Sequence, residues 1–324
     1  MEVLEQIKAP VSAEMEQFNE VFRQTLCSDN VMLQKAVEHL MKAPGKQVRP
    51  MLVMLAARTV GKVNDQVIRV ALALEMLHTA SLVHDDVVDE SDRRRGLPSI
   101  SALLSNQVAV LAGDFILSKA LECAAQTNDL RIVQHISRLG QTLAEGELLQ
   151  LENQDSVELS ESAYFDIISR KTASLFSVSA RLGVLAAGGS EAEAERMAQF
   201  GKLIGICFQL RDDVFDYGTA EVGKPVCSDM REGKLTLPVI YALNHSDEAS
   251  SFRETALKVR RGEATQEEIR QLMDFAVQEG GLEYAVWHMK DMQGMADGLI
   301  PEDIDGQIAA ALHLLASFVA DRKL

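Results

Sequence analysis

Two segments of the chain carry aspartates at the same spacing. In each, carboxylates stand at positions i, i+1 and i+4. They are Asp85, Asp86 and Asp89 in the first segment and Asp212, Asp213 and Asp216 in the second. On a helix, residues i and i+4 share a face, so their carboxylates repel one another unless cations lie between them. All-oxygen ligation suits Mg²⁺, which usually binds one or two carboxylates together with substrate phosphates. The two segments therefore predict magnesium ions bridged by a diphosphate.

The repetition of this pattern distinguishes a metal site from an ordinary acidic helix end. A single copy in a chain this acidic is more often solvated, because acidic side chains are mostly exposed. Here each copy ends an apolar helical segment, and two such copies favour a metal site. Bound metal ions would neutralise the charge that develops on a departing diphosphate, so ionisation of a leaving group is the expected reaction. The sequence offers no persuasive Ser-His-Asp or Cys-His arrangement for nucleophilic catalysis.

Two basic clusters are placed to bind phosphate groups. Arg93-Arg94-Arg95-Gly96 follows the first aspartates closely, and Gly45-Lys46-Gln47-Val48-Arg49-Pro50 lies at an expected helix start. Arginine suits bidentate contact with phosphate, and backbone N–H groups at a helix N-terminus add to such a site. His78 precedes Asp85 by about two helical turns on nearly the same face. It could contact a ligand there or be a hydrogen-bonded core histidine, whereas His84 is interpreted as structural.

Helices must position these residues. Segments rich in Ala, Leu and Met, such as residues 71–78, show helical periodicity without an interrupting proline, and strand-like alternation is nearly absent. We expect about ten or more helices. The chain is 47% hydrophobic and 25% charged, with no linker or shift in composition, so we predict one large all-α domain spanning residues 1–324.

Charge and composition exclude some partners and compartments. The net charge of −16 argues against sequence-independent binding of nucleic acid, which needs clustered Lys and Arg. The N-terminus lacks the regions of a signal peptide, and no uninterrupted apolar run reaches the roughly 20 residues of a membrane span, so we expect a cytoplasmic protein. The scattered cysteines lack metal-binding spacing and are expected to be free, mostly buried thiols. They are Cys27, Cys123, Cys207 and Cys227.

Together these motifs resemble those of the trans-isoprenyl diphosphate synthases, also called polyprenyl synthetases, and in particular the long-chain, octaprenyl-type members. The shared motifs follow in unbroken order from residue 45 to residue 238. They are Gly45-Lys46-x-x-Arg49-Pro50, Leu82-x-His84-Asp85-Asp86-Val87-Val88-Asp89, Arg94-Arg95-Gly96, Lys171-Thr172, Phe208-Gln209-x-x-Asp212-Asp213-x-x-Asp216, Gly223-Lys224-Pro225 and Gly233-Lys234-x-Thr236-Leu237-Pro238. Cys227 stands where this family more often has glycine.

The resemblance implies a fold, a metal centre and an assembly. The fold is an all-α helical bundle of the isoprenoid synthase type around a deep central cavity, and the assembly is a homodimer. About three magnesium ions would be bridged by substrate diphosphate. By that resemblance Asp85, Asp89 and Asp212 are the principal ion ligands, supported by Asp86, Asp213 and Asp216.

The resemblance also assigns two substrates. The allylic diphosphate would be held by Arg94, Lys171, Thr172, Gln209, Lys224 and Lys234. Isopentenyl diphosphate would be held by Lys46, Arg49, His78 and Arg95. The implied reaction is ionisation of the allylic diphosphate, attack of the isopentenyl double bond on the cation, and loss of a proton to the released diphosphate. Release of a long product would involve transient contact with a membrane.

Product length is predicted from the residues that precede the first aspartates. A tail beside this helix would meet residues about four and eight positions earlier, Ser81 and Leu77, with Ala80 alongside. Short-chain members of the family close the cavity there with aromatic residues. Because Ala80 and Ser81 are small, we predict an octaprenyl-like product of at least about six isoprene units, serving a quinone side chain. The cavity floor is expected on the helix 108–124, at Leu117 or Leu121.

Other functions remain open from the sequence alone. A short-chain farnesyl or geranylgeranyl diphosphate synthase shares these motifs. A terpene cyclase or a head-to-head condensing enzyme shares the ionising aspartates but does not need the Lys46 and Arg49 site, and a cyclase replaces the second aspartate motif. A non-catalytic partner subunit would be expected to have lost aspartates that are intact here. A Mg²⁺-dependent phosphohydrolase would release phosphate or diphosphate without isopentenyl diphosphate.

Overall fold

The computed structural model describes residues 2–154, 160–218 and 228–320. In those ranges the chain is almost entirely helical, which confirms the all-α class and the expected number of helices. The helices are α1 (Glu2–Lys8), α2 (Ser12–Thr25), α3 (Val31–Met41), α4 (Val48–Arg58), α5 (Asp65–Val88), α6 (Ile100–Leu103), α7 (Asn106–Ala125), α8 (Leu130–Gln154), α9 (Glu161–Ile168), α10 (Ser174–Ala186), α11 (Glu191–Asp216), α12 (Ser228–Arg231), α13 (Leu237–His245), α14 (Ala249–Arg260), α15 (Gln266–Gln278), α16 (Gly281–Asp297) and α17 (Gly306–Ala320). A 3₁₀ turn (Ala9–Val11), a π-helical turn (Ser169–Ala173) and an antiparallel hairpin of β1 (Arg93–Arg94) and β2 (Leu97–Pro98) complete the described elements.

The chain divides into two compact units. Unit 1 contains residues 1–140, 175–201 and 300–314, and unit 2 contains residues 141–174, 202–299 and 315–324. Each unit has buried apolar side chains of its own. In unit 1 they include Val83, Ile100 and Ala112, and in unit 2 they include Leu210, Leu237 and Met289. The single domain and the central cavity expected from the sequence stay predictions.

The helix that carries the first aspartates is a core helix of unit 1. Asn64 caps its N-terminus by accepting a hydrogen bond from the Val67 N–H at 3.0 Å. Among the described residues, α5 is the one helix long and apolar enough to cross a membrane by length and composition, yet 67% of its most apolar window is buried inside the protein. It packs against α7. His84 lies over Gly113 of that helix, where a Cβ would come within 2.2 Å of His84 Nε2.

A glycine sets the close approach of α10 to α4 within unit 1. A Cβ on Gly183 would lie 2.2 Å from the backbone oxygen of Val53. Gly183→Ala is expected to lower the free energy of unfolding by about 1–3 kcal/mol, because the clash is with backbone and exceeds the roughly 1 kcal/mol that alanine gains over glycine in a helix. The midpoint of urea unfolding measures this loss.

Gly294 of α16 provides the matched control. A Cβ there would meet no atom within 4 Å. Gly294→Ala should therefore raise the midpoint of urea unfolding, because the free energy of unfolding increases by up to roughly 1 kcal/mol. Equal shifts of the midpoint in the two variants would contradict the close packing of α10 against α4.

Candidate active site

The first aspartate motif lies at the C-terminal end of α5, and its carboxylates differ in accessibility. Asp89 is the C-cap residue, and its backbone N–H donates to Asp85 O at 2.8 Å. Asp85 is half-buried and Asp89 is exposed, whereas Asp86 is only 4% exposed. Arg94 holds the Asp86 carboxylate, with its Nε and a terminal guanidinium nitrogen 2.8 and 2.5 Å from Oδ1. The accessible pair is thus Asp85 and Asp89, the two expected to share a helix face.

The hairpin returns the arginines to α5. β1 and β2 pair antiparallel, and the turn between them uses positive φ angles at Arg95 (51°) and Gly96 (79°). Such angles are tolerated by glycine and cost a residue with a Cβ more. The turn places Arg94 against Asp86 and points Arg95 elsewhere, toward the second basic cluster of unit 1.

Arg95 and the Gly45 cluster meet, as a shared phosphate site requires. An Arg95 terminal nitrogen donates to Ala43 O at 2.8 Å. Gly45 has a φ of +75°, and a Cβ there would lie 2.6 Å from Arg95 Cζ. Lys46 is exposed, and Arg49 is half-buried, with its Cζ 5.0 Å from the centre of the Phe176 ring. The structure therefore brings together Lys46, Arg49 and Arg95, three of the residues expected to hold isopentenyl diphosphate.

Two titratable side chains of α5, His78 and Glu75, have pKa values that these arginines shift. Burial lowers the pKa of His78 well below its usual 6.5, and Arg49, Arg95 and Arg94 lower it further. The imidazole is therefore neutral near pH 7. Glu75 was missed by sequence reasoning and is 5% exposed, with no hydrogen-bond partner for Oε2 among the described residues. Burial raises its pKa, opposed by Arg49 and Arg95.

Glu75 borders an open pocket of unit 1. Its lining includes Glu75, Asp86, Arg94 and Arg95. Apolar side chains such as Leu82 complete the wall. The only sequence signal for Glu75 is its position three residues before His78, which puts both side chains on one helix face.

The residues expected to set product length lie on α5, where Ala80 and Ser81 form a small-residue stretch. Leu77 and Ala80 are buried, and Ser81 is half-buried. The Ser81 hydroxyl donates to His78 O at 2.9 Å, so its hydrogen bond is satisfied within the helix. On α7, Leu117 is half-buried, but Leu121 is 46% exposed. Leu121 is thus exposed in the single chain, and the residue that forms the cavity floor, Leu117 or Leu121, stays a prediction.

The second aspartate motif ends α11, in unit 2, and its aspartates also differ in accessibility. The Asp212 side chain is 49% exposed, whereas Asp213 is 3% exposed. Asp216 accepts hydrogen bonds from the Ser228 N–H at 2.8 Å, the Ser228 hydroxyl at 2.6 Å and the Asp229 N–H at 3.0 Å. Asp216 thus anchors the first turn of α12.

Asp213 is held by two donors. The Tyr164 hydroxyl donates to Oδ2 at 2.5 Å, and Gln209 Nε2 donates to Oδ1 at 2.8 Å. Gln209 Oε1 in turn accepts from the Thr172 hydroxyl at 2.8 Å. Thr172 and Gln209, both expected on the allylic side, are therefore in direct contact. Tyr164 was missed by sequence reasoning, because no spacing relates α9 to α11.

Burial raises the pKa of two aspartates here, Asp213 within the motif and Asp229 beside it. It raises the pKa of Asp213 to about 8, with Asp229 and Asp212 raising it further and the hydrogen bonds from Tyr164 and Gln209 lowering it. Burial also raises the pKa of Asp229 to about 7, with Asp216 raising it and Lys234 lowering it. Asp229 is a further acidic residue that the spacing argument did not find.

The raised pKa of Asp213 predicts a pH dependence of stability without metal. Its folded value of about 8 exceeds the ordinary 3.8, so the native protein binds more protons than the unfolded chain between these values. The stabilisation is complete below about pH 4 and is lost as the pH rises through about 8. In EDTA, Asp213→Asn should reduce the fall in unfolding temperature across this range. An unchanged slope would contradict the raised pKa.

The lysines expected to bind diphosphate already contact acidic side chains. Lys171 lies on the π-helical turn, a rare conformation that is frequent at functional sites. Its Nζ is 2.6 Å from Glu147 Oε1 and donates to Gln150 Oε1 at 2.8 Å. Lys234 Nζ is 2.8 Å from Glu232 Oε2. Lys224 and Cys227 lie outside the described residues.

The donor groups fit magnesium in the way that this ion binds proteins. Among the described residues, no three His, Cys, Asp or Glu side chains converge as a ready-made metal cage. Mg²⁺ does not need one, because it keeps several waters and uses one or two carboxylates together with substrate phosphates. The accessible oxygens of Asp85 and Asp89, one helical turn apart, meet that requirement.

Comparisons with known proteins identify the class. The polyprenyl synthetase family profile matches residues 30–276. An octaprenyl diphosphate synthase from Haemophilus influenzae is 35% identical over 323 residues, covering 98% of this chain and 97% of that protein. A solved geranylgeranyl pyrophosphate synthase from Bacteroides thetaiotaomicron is 40% identical, with a TM-score of 0.86 and 99% of both chains covered. A polyprenyl synthase from Caulobacter crescentus, complexed with calcium and isoprenyl diphosphate, is 33% identical, with a TM-score of 0.89 and 98% of both chains covered.

The helical fold and these relatives define an isoprenyl diphosphate synthase. The chain belongs to the polyprenyl synthetase family. It is therefore a prenyltransferase of isoprenoid biosynthesis, which confirms the class predicted from the motifs.

Proposed function

We propose that this protein condenses isopentenyl diphosphate head-to-tail with an allylic diphosphate, in a magnesium-dependent reaction, to make an octaprenyl-like all-trans product for a quinone side chain. The observation that carries the long product is the small-residue stretch of α5, where Ala80 and Ser81 precede the first aspartates. An octaprenyl diphosphate synthase that matches nearly the full length of this chain supports the same proposal.

The accessible aspartates are proposed as the principal magnesium ligands. Asp85 and Asp89 are more exposed than Asp86, and Asp212, which lies 3.5 Å from Arg211, is more exposed than Asp213. Asp86, Asp213 and Asp216 accept hydrogen bonds from protein donors. About three ions would suffice, because the substrate diphosphate supplies the remaining ligands. Bound magnesium would neutralise the charge that develops on the departing diphosphate.

The basic residues divide between the two substrates. For the allylic diphosphate, Lys171 and Lys234 would exchange their glutamate partners for phosphate oxygens, because a diphosphate carries more charge than one carboxylate. Arg94, Thr172, Gln209 and Lys224 complete this proposed set. For isopentenyl diphosphate the proposed set is Lys46, Arg49, Arg95 and the neutral imidazole of His78. Since the imidazole is neutral, it binds through hydrogen bonds without adding charge.

A second candidate function is synthesis of geranylgeranyl diphosphate. The observation that favours it is the geranylgeranyl pyrophosphate synthase structure, which is 40% identical over 99% of this chain. Both candidates use the same reaction and differ in where elongation stops.

Incubation with labelled substrate tests both candidates. The purified chain is given Mg²⁺, radiolabelled isopentenyl diphosphate and farnesyl diphosphate, and the dephosphorylated products are separated by length. A ladder ending at about six or more units supports the long-chain proposal, whereas products ending at four units support the second candidate. Parallel reactions with EDTA or without farnesyl diphosphate serve as controls. Release of phosphate or diphosphate without incorporation would overturn the proposed function.

Assembly and location are proposed with the function. We propose a cytoplasmic homodimer that contacts a membrane transiently to release its product. Exposed apolar side chains in unit 1, such as Leu111 (63%) and Leu130 (68%), support burial against a second copy. Light scattering tests the dimer, and co-sedimentation with lipid vesicles in the presence of product tests the membrane contact.

A further inference from the structure

A chain of hydrogen bonds runs through unit 2 from α9 to the π-helical turn. Tyr164 donates to Asp213, Gln209 donates to the other oxygen of Asp213, and Thr172 donates to Gln209. The continuous segment of α9 and the π-helical turn is thereby linked to α11 by side chains at two points. Tyr164 is 7% exposed, and burial together with Asp213 holds its pKa well above 10, so its hydroxyl stays a proton donor.

This chain of hydrogen bonds sets the orientation of the Gln209 side-chain amide. An amide has an acceptor end and a donor end, and which end faces which neighbour is decided by its hydrogen bonds. Gln209 turns its donor end to Asp213 and its acceptor end to the Thr172 hydroxyl. Asp213 can fix the position of the Gln209 amide only if its own carboxylate has a fixed position. The Tyr164 hydroxyl is the second donor to that carboxylate and fixes it.

We propose that Tyr164 is a positioning residue for the allylic diphosphate, acting through Asp213 on Gln209 and Thr172. This inference rests on the proposed function, because it takes Gln209 and Thr172 as contacts of the allylic substrate. Tyr164 itself touches no substrate in this account. Its hydroxyl fixes the direction from which Gln209 and Thr172 meet the diphosphate, so that binding does not have to order them.

A purely structural role for Tyr164 makes a different prediction. Its ring packs in the buried cluster that includes Leu210 and Val214. Tyr164→Phe keeps this packing and removes only the hydroxyl. If the residue were merely structural, the variant would lose stability while the Michaelis constants of both substrates stayed at their wild-type values.

The test separates the two substrates. In Tyr164→Phe, kcat/KM for farnesyl diphosphate should fall about tenfold through a higher KM, while KM for isopentenyl diphosphate changes less than about twofold. Tyr284→Phe is the matched control, because its hydroxyl also donates to a carboxylate of unit 2, Glu161 Oε1 at 2.9 Å. It should leave both KM values unchanged. Equal changes in the two KM values of Tyr164→Phe would overturn the proposal.

A double-mutant cycle asks whether Tyr164 acts through Gln209. The effect of Tyr164→Phe should shrink from about tenfold to less than about twofold when Gln209 is already alanine. An undiminished effect would overturn the inferred route.

A binding assay distinguishes failure of this inference from failure of the proposed function. Calorimetry with a non-ionising thiolodiphosphate analogue of farnesyl diphosphate, in Mg²⁺, measures affinity without turnover. If the wild type binds the analogue but incorporates no isopentenyl diphosphate, the proposed condensation fails, and a roughly tenfold weaker affinity of Tyr164→Phe still supports the positioning role. If the wild type does not bind it, both fail. Equal affinities of the wild type and Tyr164→Phe contradict the positioning role alone.

Discussion

Asp85→Ala or Asp212→Ala is expected to lower kcat by about a thousandfold or more, because each removes a carboxylate proposed to hold magnesium. Magnesium at that position would stabilise the charge that develops on the departing diphosphate by several kcal/mol. Each of these carboxylates is more exposed than the next aspartate of its motif, Asp86 or Asp213. Steady-state incorporation of labelled isopentenyl diphosphate, over a range of Mg²⁺ concentrations, measures the loss. Full activity in either variant would remove that residue from the metal site.

Folding provides the control for these aspartate variants. Without metal, Asp85 and Asp89 are like charges one helical turn apart, so removing Asp85 should not lower the unfolding temperature in EDTA. Asp274→Ala, which changes an exposed aspartate of α15 outside both motifs, should keep kcat within about twofold. A large fall in unfolding temperature for Asp85→Ala would assign its inactivity to misfolding.

Ser81→Phe is expected to shorten the product to about three or four isoprene units while isopentenyl diphosphate is still incorporated. The substitution places a large ring on the half-buried face of α5 one turn before Asp85, where the growing tail is proposed to pass. Chromatography of the dephosphorylated products measures the change in length. The serine hydroxyl bonds only to the preceding turn of its own helix in the described contacts, so its loss should cost little stability.

The same substitution at a surface position distinguishes blocking of the growing tail from a general effect of a larger side chain. Ser251→Phe places an identical ring on an exposed position of α14 and should leave the product distribution unchanged. A product distribution unchanged in Ser81→Phe would mean that the tail does not pass this face of α5, and Leu117 and Leu121 would lose their role as candidates for the floor on the same path.

Much of the site could be predicted because it depends on short-range spacing. The positions i and i+4 define a helix face wherever a helix forms, so the pairing of Asp85 with Asp89 followed from the sequence alone. The few residues between Asp89 and Arg94 restricted the arginine to the neighbourhood of the motif, and the hairpin brings it to Asp86. The fold class followed from helical periodicity without strand-like alternation, and the family from the order of the motifs.

The rest could not be predicted because it depends on contacts between distant segments. Tyr164 and Asp213 are 49 positions apart, and no periodicity relates them. Lys171 reaches Glu147 from another helix, and Glu75 becomes unusual only because it is buried. The exposure of Leu121 likewise depends on which neighbours pack around α7, which its own sequence does not specify.

The sequence by itself determined that the chain is helical, that two aspartate triplets end two of its helices, and that basic residues accompany them, because helical geometry and chain connectivity act over a few residues. Only the tertiary structure decided which aspartates are accessible and which are held. Asp85, Asp89 and Asp212 reach solvent, whereas Asp86 and Asp213 are buried against Arg94 and Tyr164. The reason is physical: burial and hydrogen-bond partners come from segments far apart in sequence, and they set the charge and the freedom of each carboxylate.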